Sequence, residues 1–382
     1  MKKIIFSEID KKIAELNSFI YTNPELGYQE IKACKKNIEI FSQMNFKCSV
    51  PYPSELPSAF KIEFGEGDKI VAFMSEYDAL KDLGHACGHN LIATAAAKAF
   101  VETAKCMQEN ELSGRIVLIG TPAEENFGGK VDLINLGFFD NIDLALISHP
   151  HNSTCCSKGA VAVSRFDVIF RGKSAHASID PDSGINALDA MIVLFNSVGL
   201  KRQQMDSKSQ IHGIITNGGV APNIIPDYTE AFFYLRADQD EKLEKLIEQF
   251  EDMVKGAALT SGCEWVLRER NHSYSTEKIN LPLKEEVRVQ LRENMSDFSK
   301  EELMISSDYA NVSQIVPTVN FFFNITGERE EIPLHSTEFR NSAGSSFAFE
   351  QALKCGSILS NLALKYLTDL KFQQEVDTDF VS

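Results

Sequence analysis

Apolar residues recur along this chain in two rhythms, and the change from one to the other divides it. Ile9, Ile13, Leu16 and Ile20 return every three or four positions, which predicts an amphipathic helix that Ser7 is placed to cap. Asn23-Pro24-Glu25-Leu26-Gly27-Tyr28 breaks it, and a helical pattern resumes from Glu30 to Met44. Phe60 to Phe64 alternates like a strand, Gly65 to Asp68 turns, and Lys69 to Ser75 forms the next strand. Leu91 to Phe100 is rich in alanine and reads as a buried helix. Arg115 to Gly120 and Asp143 to Ser148 are short continuous apolar runs, as in parallel strands covered on both faces, with a helical segment from Lys130 to Leu136 between them. Strands alternating with helices predict an α/β domain with a doubly wound, mostly parallel sheet, whose site lies along the carboxyl ends of its strands.

Near Val161 the rhythm becomes that of an antiparallel sheet. Val161 to Phe170 alternates, a helix follows from Asn186 to Val198, and Ile211 to Thr216 and Thr229 to Asp238 are strands. Glu241 to Leu259 is helical and Cys263 to Glu269 is again a strand. Strand-helix-strand-strand-helix-strand is the ferredoxin-like α+β order. The expected organisation is therefore an inserted domain over 161–271 within a domain built from 1–160 and 272–382. The latter resumes with a helix from Leu283 to Asn294, a strand from Val316 to Phe323 and a long helix from Ser345.

With 382 residues the chain can bury two proper cores, and its 43% hydrophobic and 24% charged residues are those of an ordinary globular protein. A formal net charge of −16 with no basic stripe argues against nucleic acid or an anionic membrane as partner. Met1-Lys2-Lys3-Ile4-Ile5-Phe6 reaches Glu8 and Asp10 too soon for a signal-peptide core, and no run of about eighteen apolar residues occurs. The eight cysteines have no framework spacing. Together these features predict a reducing, cytoplasmic setting in which cysteine serves as ligand or core.

Candidate chemistry collects at strand ends. Gly84-His85-Ala86-Cys87-Gly88-His89-Asn90 follows the Lys69–Ser75 strand and opens the alanine-rich helix, and a thiolate and an imidazole two apart can reach one divalent cation. Thr121-Pro122-Ala123-Glu124-Glu125 follows the next parallel strand, and in a turn two adjacent carboxylates can do different work, one binding metal and the other carrying a proton. His149-Pro150-His151 ends the third; Pro150 should stop a regular strand there, so that one of the two histidines points inward. His335 lies in a late polar loop.

His85-Ala86-Cys87-Gly88-His89, Pro122-Ala123-Glu124-Glu125, Gly172-Lys173-Ser174-Ala175-His176 and Pro333-Leu334-His335-Ser336, in this order, resemble the di-metal aminoacylase and carboxypeptidase-G family. More closely they resemble its amidohydrolase branch of indole-acetyl-amino-acid hydrolases. Ser75-Glu76-Tyr77-Asp78-Ala79-Leu80, Asn90 and Ser307-Asp308-Tyr309-Ala310-Asn311-Val312-Ser313 add a likeness to the B component of p-aminobenzoyl-glutamate hydrolase and its dipeptidase relatives. The resemblance implies Cys87, His89, Glu125, His149 and His335 as metal ligands, Glu124 as general base and Asp78 as the carboxylate orienting a ligand. It also implies that the inserted domain is a dimerisation lid whose His176 reaches the partner's active site, with Asn223 and Arg236 holding the substrate. Asn90 and Lys81 depart from the branch's usual aspartate and proline.

The chemistry of these groups agrees with that implication. Two divalent ions about 4 Å apart acidify a water and polarise an amide carbonyl, and a neighbouring carboxylate relays the proton. A Cys87 thiolate suits zinc by softness, while supply and geometry can favour manganese. His176 and Asn223 would offer oxyanion donors worth roughly 3 kcal/mol each, and Arg236 a planar fork for a free carboxylate. The expectation is a metal-dependent amidohydrolase or peptidase, a homodimer, cleaving an N-acyl or N-aminoacyl amino acid. A non-catalytic or partner-dependent component of a two-part amidohydrolase is the alternative. A thiol redox protein is disfavoured, because no Cys-x-x-Cys occurs and vicinal Cys155-Cys156 bridge only with strain.

Overall fold

A computed structural model describes residues 8–49, 56–125, 127–327 and 332–382. The chain divides into two compact units, one of residues 1–159 with 277–382 and one of Ala160–Thr276.

The first unit opens with helices α1 (Ile9–Thr22) and α2 (Ile31–Gln43) and the short strand β1 (Lys47–Ser49). The expected cap Ser7 lies outside the described residues. Next come β2 (Phe60–Glu66), β3 (Ile70–Ser75), α3 (His89–Glu109), β4 (Gly114–Gly120), α4 (Gly129–Asn135), β5 (Leu144–His151) and β6 (Cys155–Ala160). The second unit holds β7 (Ala162–Arg171), β8 (Ala175–His176), α5 (Ala187–Lys201), β9 (Gln210–Asn217), β10 (Ile224–Ile225), β11 (Tyr228–Ala237), α6 (Asp240–Ser261) and β12 (Glu264–Glu269). The first unit then closes with α7 (Leu281–Asn294), β13 (Leu303–Ile305), α8 (Tyr309–Ser313), β14 (Thr318–Asn324), α9 (Thr337–Ala343), α10 (Ser346–Thr368) and α11 (Leu370–Val381). The expected single closing helix is thus two, because Asp369 leaves helical geometry and its side chain caps α11.

The large sheet has the order β1-β2-β4-β3-β5-β14-β6-β13. Its centre is parallel, with β3 between β4 and β5 and β14 beside β5. Its margins turn antiparallel, β2 beside β4 and β6 beside β14. Central strands covered on both faces must be apolar throughout, and every residue of β3 and β14 is buried. Helix α3 packs into the same core through Ala93, Ala95, Ala96, Ala97 and Ala99. A side chain at Gly356 of α10 would come within 2.8 Å of the Ala95 carbonyl oxygen, so the close approach of α10 to α3 requires glycine there.

Pro150 corrects an expectation. The strand does not stop at it: β5 stays in register with β14 through Pro150↔Phe323 to His151↔Asn324. On its other side β5 pairs with β3 only from Leu144 to Leu146, so beyond that point one edge is open and the missing proline N–H costs no ladder bond.

In the second unit the strand order β12-β7-β11-β9 is antiparallel throughout. Phe166, Phe170, Leu194, Phe233 and Phe250 form its separate core, packed under α5 and α6. That is the ferredoxin-like order read from the sequence.

Candidate metal centre

Three central strands end at one place. After β3 the chain carries Glu76 and Asp78, after β4 Glu124 and Glu125, and β5 itself ends in His149 and His151. The loop before α3 brings Cys87 there and the first residue of α3 brings His89. Gly88 caps α3 at φ 81°, and any side chain on it would meet Pro150 at 2.6 Å. His335 arrives from the far end of the sequence, its backbone N–H donating to Ala86 O at 3.2 Å.

The ligand atoms of Cys87, His89 and His149 all lie within 4.8 Å of one another, and so do those of Cys87, Glu125 and His335. A third such group is Glu76, His89 and Glu124. The chain therefore brings together all five residues expected to hold metal, with Cys87 common to two groups.

Hydrogen bonds fix how each imidazole is presented. His89 Nδ1 lies 2.8 Å from Asp78 Oδ1, which leaves Nε2 facing the carboxylates. His149 Nδ1 donates to Pro150 O at 2.8 Å, and its Nε2 lies 3.6 Å from Cys87 Sγ. Burial pushes His149 down to about 4, so this imidazole is neutral and has a lone pair to give. His151 is only half-buried; its ring and that of His149 both lie against Phe322.

Fit to a divalent cation shows in what these groups lack. His89 Nε2, Glu76 Oε2 and Glu125 Oε1 are buried without a hydrogen-bond partner among the described residues. Such groups are costly unless something satisfies them. His89 Nε2 lies 3.4 Å from Glu76, 3.9 Å from Glu124 and 3.9 Å from Glu125. Burial works against charge on His89, and Asp78 and Cys87 outweigh it, holding the imidazole well above its ordinary value. Burial raises Glu124, Glu125 and the Cys87 thiol. Glu124 is raised further by the Glu76 and Glu125 carboxylates, which suits a group that takes up a proton. A thiolate, three imidazoles and a carboxylate are a donor set that fits divalent metal ions.

Several groups here carried no assignment in the sequence. Lys130, fully buried, places its ammonium 2.6 Å from Glu76 and 2.5 Å from Asp308, while Asp308 Oδ2 accepts the Lys130 backbone N–H at 2.9 Å. Burial opposes this charge, and Asp308 and Glu76 more than restore it. Lysine after Gly128-Gly129 at the first turn of a short helix was the only available hint. Asn90 departs from the usual aspartate with a physical consequence: its amide donates to Asn17 Oδ1 at 2.8 Å and to Ala343 O at 3.1 Å, which a carboxylate cannot do.

Three expected site residues belong to the second unit. His176 and Asn223 meet on the β8–β10 ribbon, where Ile224 pairs with His176 and Asn223 O accepts the Ala177 N–H. Both are exposed. Arg236 lies near the other end of β11, half-buried, its guanidinium 5.6 Å from the Tyr234 ring centre. All eight cysteines are free thiols, and among the described residues no helix is long and apolar enough to cross a membrane.

Residues 160–261 match the peptidase dimerisation domain of the M20 group. The mouse Xaa-Arg dipeptidase is 33% identical over 378 residues, covering 94% of this chain and 86% of its own. The B component of p-aminobenzoyl-glutamate hydrolase from Escherichia coli is 27% identical over 268 residues, covering 65% and 56% respectively. Among solved structures, a dinuclear metal-binding M20 peptidase from Bacillus subtilis superposes with a TM-score of 0.64 at 17% identity, covering 91% of this chain and 98% of that one.

Proposed function

The chain belongs to the M20 family of metal-dependent peptidases, and from that premise we propose that it hydrolyses the amide bond of a dipeptide or N-acyl amino acid with a free carboxylate. The observation that carries this reading is the sharing of Cys87 between two ligand groups with Glu124 beside them. Cys87, His89 and His149 would hold one ion, and Cys87, Glu125 and His335 the other. Zinc or manganese bound there would polarise the amide carbonyl and acidify the attacking water. Glu124 takes the water's proton and delivers it to the leaving amine. Asp78 holds the His89 ring through Nδ1. His176 and Asn223 serve as oxyanion donors and Arg236 as the clamp on the substrate carboxylate, in a homodimer formed through the inserted unit in which His176 completes the other copy's site. Eight free thiols fit a reducing, cytoplasmic compartment.

The test loads the purified chain with zinc or manganese and assays alanyl-arginine, p-aminobenzoyl-glutamate and N-acetyl-leucine. Glu124→Gln should retain both ions and lose about 1,000-fold in kcat; wild-type turnover in that variant refutes the assignment of the base. A second reading, a component that works only with a companion chain, rests on the likeness to one part of a two-part hydrolase. Turnover by the isolated chain excludes it.

A further inference from the structure

Glu124 is useful as a base only if its carboxylate is held in place, and its own turn offers no regular secondary structure to do so. The two peptide N–H groups that flank it are both held by buried carboxyl groups. Glu125 N donates to Asp78 Oδ2 at 2.8 Å, and Ala123 N donates to Glu30 Oε1 at 2.7 Å. Asp78 belongs to the metal centre. Glu30 comes from the opening segment of the chain, 93 residues from Ala123, and its two oxygens accept from Ala123 N and Ser58 Oγ.

Three observations set Glu30 apart from an incidental core polar group. It is fully buried, which a carboxyl group tolerates only with partners, and its second oxygen accepts from Ser58 Oγ at 2.9 Å. It sits at the N-cap of α2, where a side chain ordinarily serves its own helix, yet makes no such cap bond. Ala123 has φ 59°, a left-handed conformation costing a non-glycine residue roughly 1–2 kcal/mol. Such a conformation persists only where its surroundings dictate it. At Ala123 they do so from both sides: Glu30 takes its N–H, while its carbonyl accepts the N–H groups of Gly128 and Gly129, each at 3.1 Å.

We infer that Glu30 is a positioning residue for the reaction: by gripping Ala123 it sets the backbone from which Glu124 reaches the reacting centre. This rests on Glu124 being the base. Glu30 touches no substrate and acts only through the Ala123 peptide.

The experiment uses the full metal-loaded chain and whichever of alanyl-arginine, p-aminobenzoyl-glutamate and N-acetyl-leucine turns over fastest. Glu30→Met keeps the volume and removes both acceptors. It should lower kcat about 100-fold with KM changed by no more than about threefold, the size of loss that a misplacement near 1 Å produces. Metal content per chain should stay as in wild type. Hydrogen exchange of amides in the segment 121–130 should speed up about tenfold while those of α3 do not change. Glu30→Gln, which keeps an oxygen toward Ala123, should recover kcat to within about fivefold of wild type.

Wild-type kcat in Glu30→Met overturns the inference. So does a Gln variant as damaged as Met, or a loss of activity that only tracks the unfolded fraction. Should Glu30→Met not fold, Glu30→Asp decides: its carboxyl falls one methylene short of Ala123, so unchanged kcat overturns the inference and a kcat loss with metal retained upholds it. Glu124→Gln run alongside separates the two ideas. If it keeps turnover, the proposed base is wrong; if it is inactive while Glu30→Met is fully active, only the role of Glu30 falls.

Discussion

The two ligand groups that share Cys87 are built differently. His89 and His149 are buried, each with its outer ring nitrogen engaged, by Asp78 and by Pro150 O. His335 leaves half of its side chain exposed, 50%, and holds a left-handed φ of 57° in a loop between β14 and α9. One group is thus preorganised in the core by elements that fold for other reasons, and the other is completed at the surface by one late loop residue. The contrast predicts that metal binding and fold stability are coupled on the His89–His149 side and nearly separate on the His335 side.

The shared atom is where breaking the contrast has the largest effect. Cys87→Ala removes a ligand from both groups at once, so both ions should leave during gel filtration in metal-free buffer, taking at least about 1,000-fold of the turnover with them. Elemental analysis of the eluted chain checks it. One ion still retained at full occupancy would mean that the thiolate serves a single group. A smaller step on the buried side is Lys130→Met. It leaves Glu76 and Asp308 facing each other without a counter-charge, and breaking a buried pair in this way costs about 3–5 kcal/mol. Urea unfolding of the metal-free chain measures it; a loss below about 1 kcal/mol would show that the two carboxyls accommodate themselves by taking up protons.

What the sequence disclosed follows the same division. Cys87, His89, Glu124, Glu125 and the His149/His151 pair stand out as candidate chemistry because each lies where an apolar run meets a turn or a helix start, a local signal, whereas their separate roles and the choice of His149 come from the resemblance. His335 was legible only through resemblance, since a histidine in a polar loop has no periodicity to betray it. Lys130, Glu76, Asp308 and Glu30 were not assigned any role. Their pairing joins positions 54 and 178 residues apart for Lys130 and 93 for Glu30, and no window along the chain contains it. A lysine opening a helix reads as solvent-facing by composition, because lysine is almost never fully buried unless paired. Pro150 misled for a related reason: whether a proline ends a strand depends on which neighbour that edge has, a property of the sheet rather than of the dipeptide.

Acid sharpens the comparison with a smaller effect. His149 is held down to about 4 in the folded, metal-free chain, against about 6.5 when unfolded. Between those values the unfolded chain takes up a proton that the folded chain refuses. Stability from this group is therefore fully present above about pH 6.5 and declines as pH falls toward 4, by at most about 3–4 kcal/mol. His149→Asn removes the proton site, so the wild-type advantage over the variant should shrink steadily from pH 7 to pH 4.5 in denaturant titrations of metal-free protein. A difference that stays constant across that range would show that burial does not disfavour the imidazolium.

The smallest stability effect belongs to His335, and it discriminates because a second measurement should move while stability does not. Its side chain is half in water, and its nearest described charge partner is Glu125 Oε1 at 3.7 Å. The left-handed φ of 57° burdens histidine and alanine alike, and an exposed substitution otherwise changes stability by about 0.5 kcal/mol or less, so His335→Ala should unfold close to the wild-type urea midpoint when metal-free. Loaded with manganese or zinc and then passed through metal-free buffer, the same variant should keep one ion where wild type keeps two, because Cys87, His89 and His149 are untouched. His89→Ala is the counterpart: it should lose its ion and stability together, since Asp78 is left buried without the ring it orients. If His335→Ala lost both ions, the two groups would not be separable sites but one cooperative cluster. If it lost stability as His89→Ala does, the exposed arm would be part of the folded core after all.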